Sequence, residues 1–134
     1  HPFRLISRRL PNVYNSSGRD LPAHTNKRAH NPAFLHPEDL AALGLCDGDL
    51  IEIRSERAAI LGIAESAPEL RRGVVSMAHA FGDAPERDAD LRRIGSCTGR
   101  LVSADRDFDP YTGIPRMSAI PVAVSRHSGT PRID

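Results

Sequence analysis

HPEDLAALGLCDGDLIEIRSERAAILGIAE, residues 36–65, carries start, stop and turn signals that agree with one another. It reads as a short helix from His36 to Leu43, a tight turn and two strands. Pro37 suits the first helical position, where a missing N–H costs nothing, and Glu38 and Asp39 complement the positive end of the helix dipole. Gly44 supplies the stop, so the helix is only about two turns long. Leu40, Leu43 and Leu45 then pin it to whatever core the strands build. Asp47-Gly48-Asp49 is a turn signal, after which Ile51 and Ile53 alternate with Glu52 and Arg54 at the period of a half-buried strand. A polar break at Ser55-Glu56-Arg57 leads into a second apolar run, Ala58 to Ala64.

Outward from that stretch, a chain of 134 residues bounds the rest to one core. Eighteen basic residues against 17 acidic ones leave a net charge of +1, too little to gather nucleic acid or an anionic membrane over the whole surface. Any anion site must be local. Cys46 and Cys97 lie far apart without a C-x-x-C, so neither a disulfide framework nor a zinc or iron–sulfur cluster is expected. No run approaches the roughly 20 apolar residues that cross a bilayer, and no direct membrane insertion is expected. The opening His1-Pro2-Phe3 suggests a piece of a longer polypeptide. Cysteine usage fits a reducing compartment, hence a cytoplasmic location, with a periplasmic parent as the alternative.

Toward the N-terminus, Phe3 to Ser7 reads as a strand, followed by a long polar loop through Gly18. Within it Arg8 and Arg9 offer forked hydrogen bonds to a phosphate, and Asn15, Ser16 and Ser17 offer short donors and acceptors to a heterocycle edge. Taken alone, such residues more often mark a solvated loop. Residues 19–30 look like surface connection, ended by Asn31-Pro32. Toward the C-terminus, Gly73 to Gly82 reads as a third β segment with His79 on the face of Val75 and Met77. A lone histidine there is more often a hydrogen-bonded structural residue than a ligand or base. Asp83 to Arg93 is dense in charge and reads as an exposed loop or frayed helix. Gly95-Ser96-Cys97-Thr98-Gly99-Arg100 has glycines that let backbone N–H groups approach an anion. Asp109 to Met117 is a further loop punctuated by Pro and Gly, and Ser118 to Ser125 a last strand. The sum is a mainly β barrel with one or two short helices, its loops building the site.

Four blocks in order, RLISRR…NS, NP…HPEDLAALGLCDGDLIEIRS, RGVVSMAHAFG and GSCTGRLVS…DPYTGIPRMSAIPV, resemble the C-terminal dinucleotide-binding domain of the molybdopterin oxidoreductases. The resemblance runs from Phe3 to about Ser125. It implies a six-stranded double-psi β-barrel and a place as a C-terminal fragment of a larger subunit. It also implies a cofactor-capping role over molybdopterin guanine dinucleotide (Mo-bisMGD, or its tungsten form), with the other domains of the same subunit as partners. The metal and its ligand would belong to those domains, with none expected here. The fragment alone is expected to lack catalysis and to retain no cofactor. Carried over by motif, the contacts are Ser7, Arg8, Arg9, Asn15 and Ser16, then His79, then Gly95, Ser96, Cys97, Thr98, Gly99 and Arg100 with Asp109, Thr112 and Arg116. Cys97 departs from the G-S-N-T common in related sequences.

Two other functions share this architecture. One is a double-psi barrel serving as a protein-interaction module, which would need no dinucleotide. The other is a self-processing pyruvoyl decarboxylase, for which Gly95-Ser96 would be the cleavage point and two fragments the signature.

Overall fold

The computed structural model describes residues 1–25 and 28–129, so part of the 19–30 connection and of the C-terminal tail lies outside the described residues. Its elements are β1 (Phe3–Arg8), a single turn α1 (Pro22–Thr25), β2 (Ala33–Leu35), α2 (Pro37–Ala42), β3 (Leu50–Arg54), β4 (Ala59–Ser66) and β5 (Val74–Ala78). A 3-10 turn (Pro85–Asp90), α3 (Leu91–Ile94), a second 3-10 turn (Thr98–Leu101) and β6 (Ile120–Arg126) complete the chain.

The six strands close into a barrel in the order β1-β5-β2-β4-β3-β6. Two of its pairs are parallel: β1 with β5, Arg4 opposite Val74, and β2 with β4, Ala33 opposite Ala64. The other four are antiparallel. Parallel neighbours cannot be joined by tight turns, so the connections must cross over the barrel ends, as a double-psi barrel requires. Closure leaves no open sheet edge and turns alternate side chains inward. Leu5, Leu35, Ile51, Ile53, Ile60, Val75, Met77 and Val122 fill the interior and are at most 1 % exposed.

The helix α2 forms as its sequence dictates. His36 is its N-cap, accepting through Nδ1 from the Glu38 N–H at 3.1 Å. The capping role of His36 was not read from the sequence, since histidine is no customary N-cap. Leu40 and Leu45 are buried and Leu43 packs against the same cluster. Asp39 points away from the apolar face and accepts from the Gly73 N–H at 2.6 Å and Arg72 Nε at 3.3 Å, tying the helix to the entry of β5.

Two features differ from the sequence reading. β2 carries no sequence signal of its own, because three residues in a strand are too few to show a period. Single helical turns at Pro22–Thr25 and Leu91–Ile94 accompany α2 among the described residues. The third β segment stops at Ala78 rather than Gly82, so His79 lies beyond the strand, followed by Ala80 in the left-handed region at φ 67°.

Candidate functional site

Strand register collects the loops at one end of the barrel. Arg8 is opposite Ala78 in the parallel β1–β5 pair, which puts both strand exits side by side. The Ser7 N–H donates to Ser118 Oγ at 3.1 Å, so the segment entering β6 meets the same rim. Asn31, which precedes β2, donates through Nδ2 to the Ala78 carbonyl at 2.7 Å and to the Ser96 carbonyl at 3.0 Å. The glycine-containing loop is thereby brought to that rim as well.

At its centre a cleft is lined by Arg8, Arg9, Leu10, Val13, Asn15, Ala78, His79 and Phe81. Asn15, held at φ 53°, joins the two sequence-distant parts of the site. Its Oδ1 accepts from Arg9 Nη1 at 3.1 Å and meets His79 Nε2 at 3.0 Å. An amide oxygen only accepts, so with this amide orientation Nε2 carries the hydrogen. Arg8 lies over the Phe34 ring at 4.3 Å from its centroid, a cation–π contact across the outer face of the barrel. Arg19, absent from the sequence reading, donates from Nη1 to the Ala80 carbonyl at 2.7 Å and so anchors the segment after β5.

The remaining expected contacts divide. Gly95 and Ser96 are buried beside the cleft, Cys97 is half-buried, and the Ser96 N–H donates to Asn31 Oδ1 at 2.7 Å. Thr98 and Gly99 begin the second 3-10 turn. Arg100 is turned to structural work: Nη1 pairs with Asp88 Oδ1 at 2.6 Å, while Nη2 reaches Asp88 Oδ2 and the Ala59 carbonyl, both at 3.2 Å. Ser16 stands exposed at the tip of the first loop. Asp109, Thr112 and Arg116 order their own loop. Asp109 Oδ1 accepts from the Thr112 and Tyr111 N–H groups, each at 2.9 Å, which holds its carboxyl below the ordinary aspartate value. Thr112 Oγ1 accepts from the Ile114 N–H at 3.3 Å, and Arg116 pairs with Asp107 at 3.5 Å.

Two buried side-chain atoms have no hydrogen-bond partner among the described residues, Arg8 Nη1 and Ser96 Oγ. Both flank Ala78, the first by strand register and the second through Asn31. Leaving a buried guanidinium N–H unpaired is costly, and an anion accepting from it removes the cost. Arg8, Arg9, Asn15 and His79 at this cleft are the donor and acceptor types that a phosphate and a polar heterocycle edge recruit at a protein surface. Among the described residues no group of three or more His, Cys, Asp or Glu side chains is placed to hold a metal ion. No described helix is long and apolar enough to cross a membrane.

Comparison with known proteins identifies the domain. Over 77 residues the chain is 27 % identical to a dimethyl sulfoxide/trimethylamine N-oxide reductase of Rhodobacter capsulatus, covering 58 % of this chain and 9 % of the relative. Over 83 residues it is 36 % identical to a trimethylamine-N-oxide reductase of Haemophilus influenzae, covering 58 % of this chain and 10 % of the relative. The chain therefore spans about a tenth of the length of the curated relatives it matches. Among solved structures, acetylene hydratase from Pelobacter acetylenicus superposes with a TM-score of 0.78 at 18 % identity, over 94 % of this chain and 18 % of that one, which shows a shared fold. A family model for the molybdopterin dinucleotide binding domain matches residues 3–121, nearly the whole barrel with all three loops, and the chain belongs to that family.

Proposed function

We propose that this domain caps a molybdopterin guanine dinucleotide held jointly with the other domains of a larger molybdenum or tungsten oxidoreductase. The observation that supports the reading is the unpartnered buried Arg8 Nη1 in the cleft where Arg9, Asn15 and His79 converge, with the likewise unpartnered Ser96 Oγ in a loop that Asn31 ties to Ala78. When bound, the cofactor supplies metal-centred oxidation and reduction. The chain's own part is binding and orientation. Arg8 and Arg9 present N–H groups to the pyrophosphate, and Ser96 Oγ adds a short donor. Asn15, its oxygen already engaged by Arg9 and His79, retains its amide N–H groups for acceptors on the heterocycle edge. Arg116 and Thr112, whose observed partners lie within their own loop, would complete the contacts from that loop when the cofactor is bound.

The partner surface follows from the same loops. Phe108, Tyr111, Ile114 and Met117 are exposed, Tyr111 to 95 %, in a segment tied up by its own hydrogen bonds. Apolar side chains held out from an ordered loop suit contact with a neighbouring domain of the subunit.

The test is chemical analysis of the full-length protein. Molybdopterin and guanine nucleotide are expected in equal amounts after acid release, and both are expected to fall together in Asn15→Ala. Cytosine nucleotide, or molybdopterin without a nucleotide, would refute the guanine form. Retention of both compounds in Asn15→Ala and in His79→Ala would refute the cleft.

A further inference from the structure

Asn31 is the least exposed polar side chain among the described residues, at 1 %, yet it does not line the cleft. Its amide uses both donor hydrogens and its oxygen. Nδ2 donates to the Ala78 carbonyl at 2.7 Å and the Ser96 carbonyl at 3.0 Å, and Oδ1 accepts from the Ser96 N–H at 2.7 Å. It thus bonds both backbone groups of Ser96 as a neighbouring strand would, and joins them to the last residue of β5. Aspartate has no donors for the two carbonyls, glutamine is a methylene too long, and an aliphatic residue would orphan three backbone groups.

The surrounding backbone leaves no slack. A Cβ on Gly95 would stand 2.5 Å from Asn31 Oδ1 and 2.8 Å from Phe81 Cβ. A Cβ on Gly82 would stand 2.3 Å from the Cys97 nitrogen. The Gly82 N–H donates to the Ile94 carbonyl at 2.8 Å, so residues 94–97 run directly against residues 81–82. The Asn31 amide, together with the Gly82–Ile94 bond, therefore sets the separation between the segment carrying His79 and the loop carrying Ser96 and Cys97.

The geometry points to Asn31 as a positioning residue for dinucleotide binding. It holds the two rim segments at the spacing the dinucleotide requires before the ligand arrives. The inference rests on the capping role proposed above. Pre-setting the loop removes an ordering cost from binding, and releasing it costs roughly tenfold in affinity for each residue set loose.

The experiment uses the full-length enzyme with Asn31→Ser and Asn31→Asp, and with Leu40→Ala as a control. Leu40 is buried in α2, which follows β2 at the barrel end opposite the rim, so its loss lowers stability without touching the site. Molybdopterin per protein and the rate of cofactor release are measured for each, at a fixed interval below its own melting temperature. Both Asn31 variants are expected to release cofactor tenfold or more faster than wild type, and Leu40→Ala at the wild-type rate. Wild-type retention in both Asn31 variants, or equal release from Asn31 and Leu40 variants at matched stability, would overturn the positioning role. Absence of molybdopterin from the wild-type enzyme would overturn the capping role itself, a result distinct from either of those.

Discussion

Arg8, Arg9, Arg100 and Arg116 lie in the loops proposed to hold the cofactor, and replacing each by Gln should divide them in a pattern fixed by their present partners. Arg100 is 19 % exposed and pairs with Asp88, itself 31 % exposed, through contacts of 2.6 and 3.2 Å, with a third bond to the Ala59 carbonyl. An exposed ion pair contributes about 0–1 kcal/mol, whereas breaking a fully buried one costs about 3–5 kcal/mol. This pair lies between the limits, and Arg100→Gln should destabilise the barrel by about 2 kcal/mol. For a domain of this size that lowers the melting temperature by about 6–10 °C. Arg8 and Arg9 have no carboxylate partner among the described residues. Arg9→Gln should leave melting nearly unchanged and Arg8→Gln should shift it only by the loss of the Phe34 contact, about 0.5–2 kcal/mol, while each removes a charge-assisted bond to the cofactor of about 1.5–3 kcal/mol, tenfold or more in affinity. Arg116, half exposed and paired only with Asp107 at 3.5 Å, should change either quantity little. Differential scanning calorimetry of residues 1–134, with guanine nucleotide content of the full-length enzyme, reads both axes. The reasoning is refuted if Arg8→Gln and Arg9→Gln keep their nucleotide with folding intact, or if Arg100→Gln loses nucleotide with its melting temperature unmoved.

Three other expectations are open to direct measurement. Gly82→Ala should cost at least about 1–2 kcal/mol from its φ of 73° alone, and more because the new Cβ meets the Cys97 backbone at 2.3 Å; chemical denaturation at wild-type stability would contradict the close packing. Cys97→Asn should fold and hold cofactor at least as well as wild type, since the free, half-buried thiol is replaced by an amide of the kind common at this position in related sequences; lost turnover with cofactor still bound would reveal a chemical role for the sulfur. The Thr112 and Tyr111 N–H groups hold the Asp109 carboxyl below its ordinary 3.8, so its contribution to loop order is fully present above that pH and is lost as pH falls through the lowered value. Amide exchange at Tyr111 and Thr112 should accelerate there in wild type and show no such step in Asp109→Asn.

Local chemistry was legible and long-range pairing was not. Pro37, Glu38, Asp39 and Gly44 each act at their own position, so α2 could be read directly, and the alternation of Ile51 and Ile53 marked β3. Ala33–Leu35 becomes a strand only because β4 and β5 flank it, a cause no three-residue window contains. His79 was assigned to a strand face because its apolar neighbours continue past Ala78, but the left-handed Ala80 and the Arg19 bond to its carbonyl turn the chain out of the sheet. Arg8 and Arg9 were indistinguishable as a dipeptide. Only the barrel shows Arg8 folded over Phe34 and Arg9 reaching Asn15. Asn31 reads in sequence only as the Asn-Pro end of a connection and the start of a matching block, because its work depends on two carbonyls far along the chain.

The strand order also governs when the domain can be made. β1 takes β5 on one side, Arg4 opposite Val74, and β6 on the other, Leu5 opposite Ile120. On a ribosome adding about 5–20 residues per second, the first strand waits on the order of ten seconds for its last neighbour. During that wait Leu5 and Phe3 have no barrel to enter, and β3–β4, whose pairing is local, can form first. Closure is thus a late event of synthesis, and a ribosome stalled before β6 would hold a chain with an open edge on β1 and another on β3, the condition under which strands recruit foreign partners.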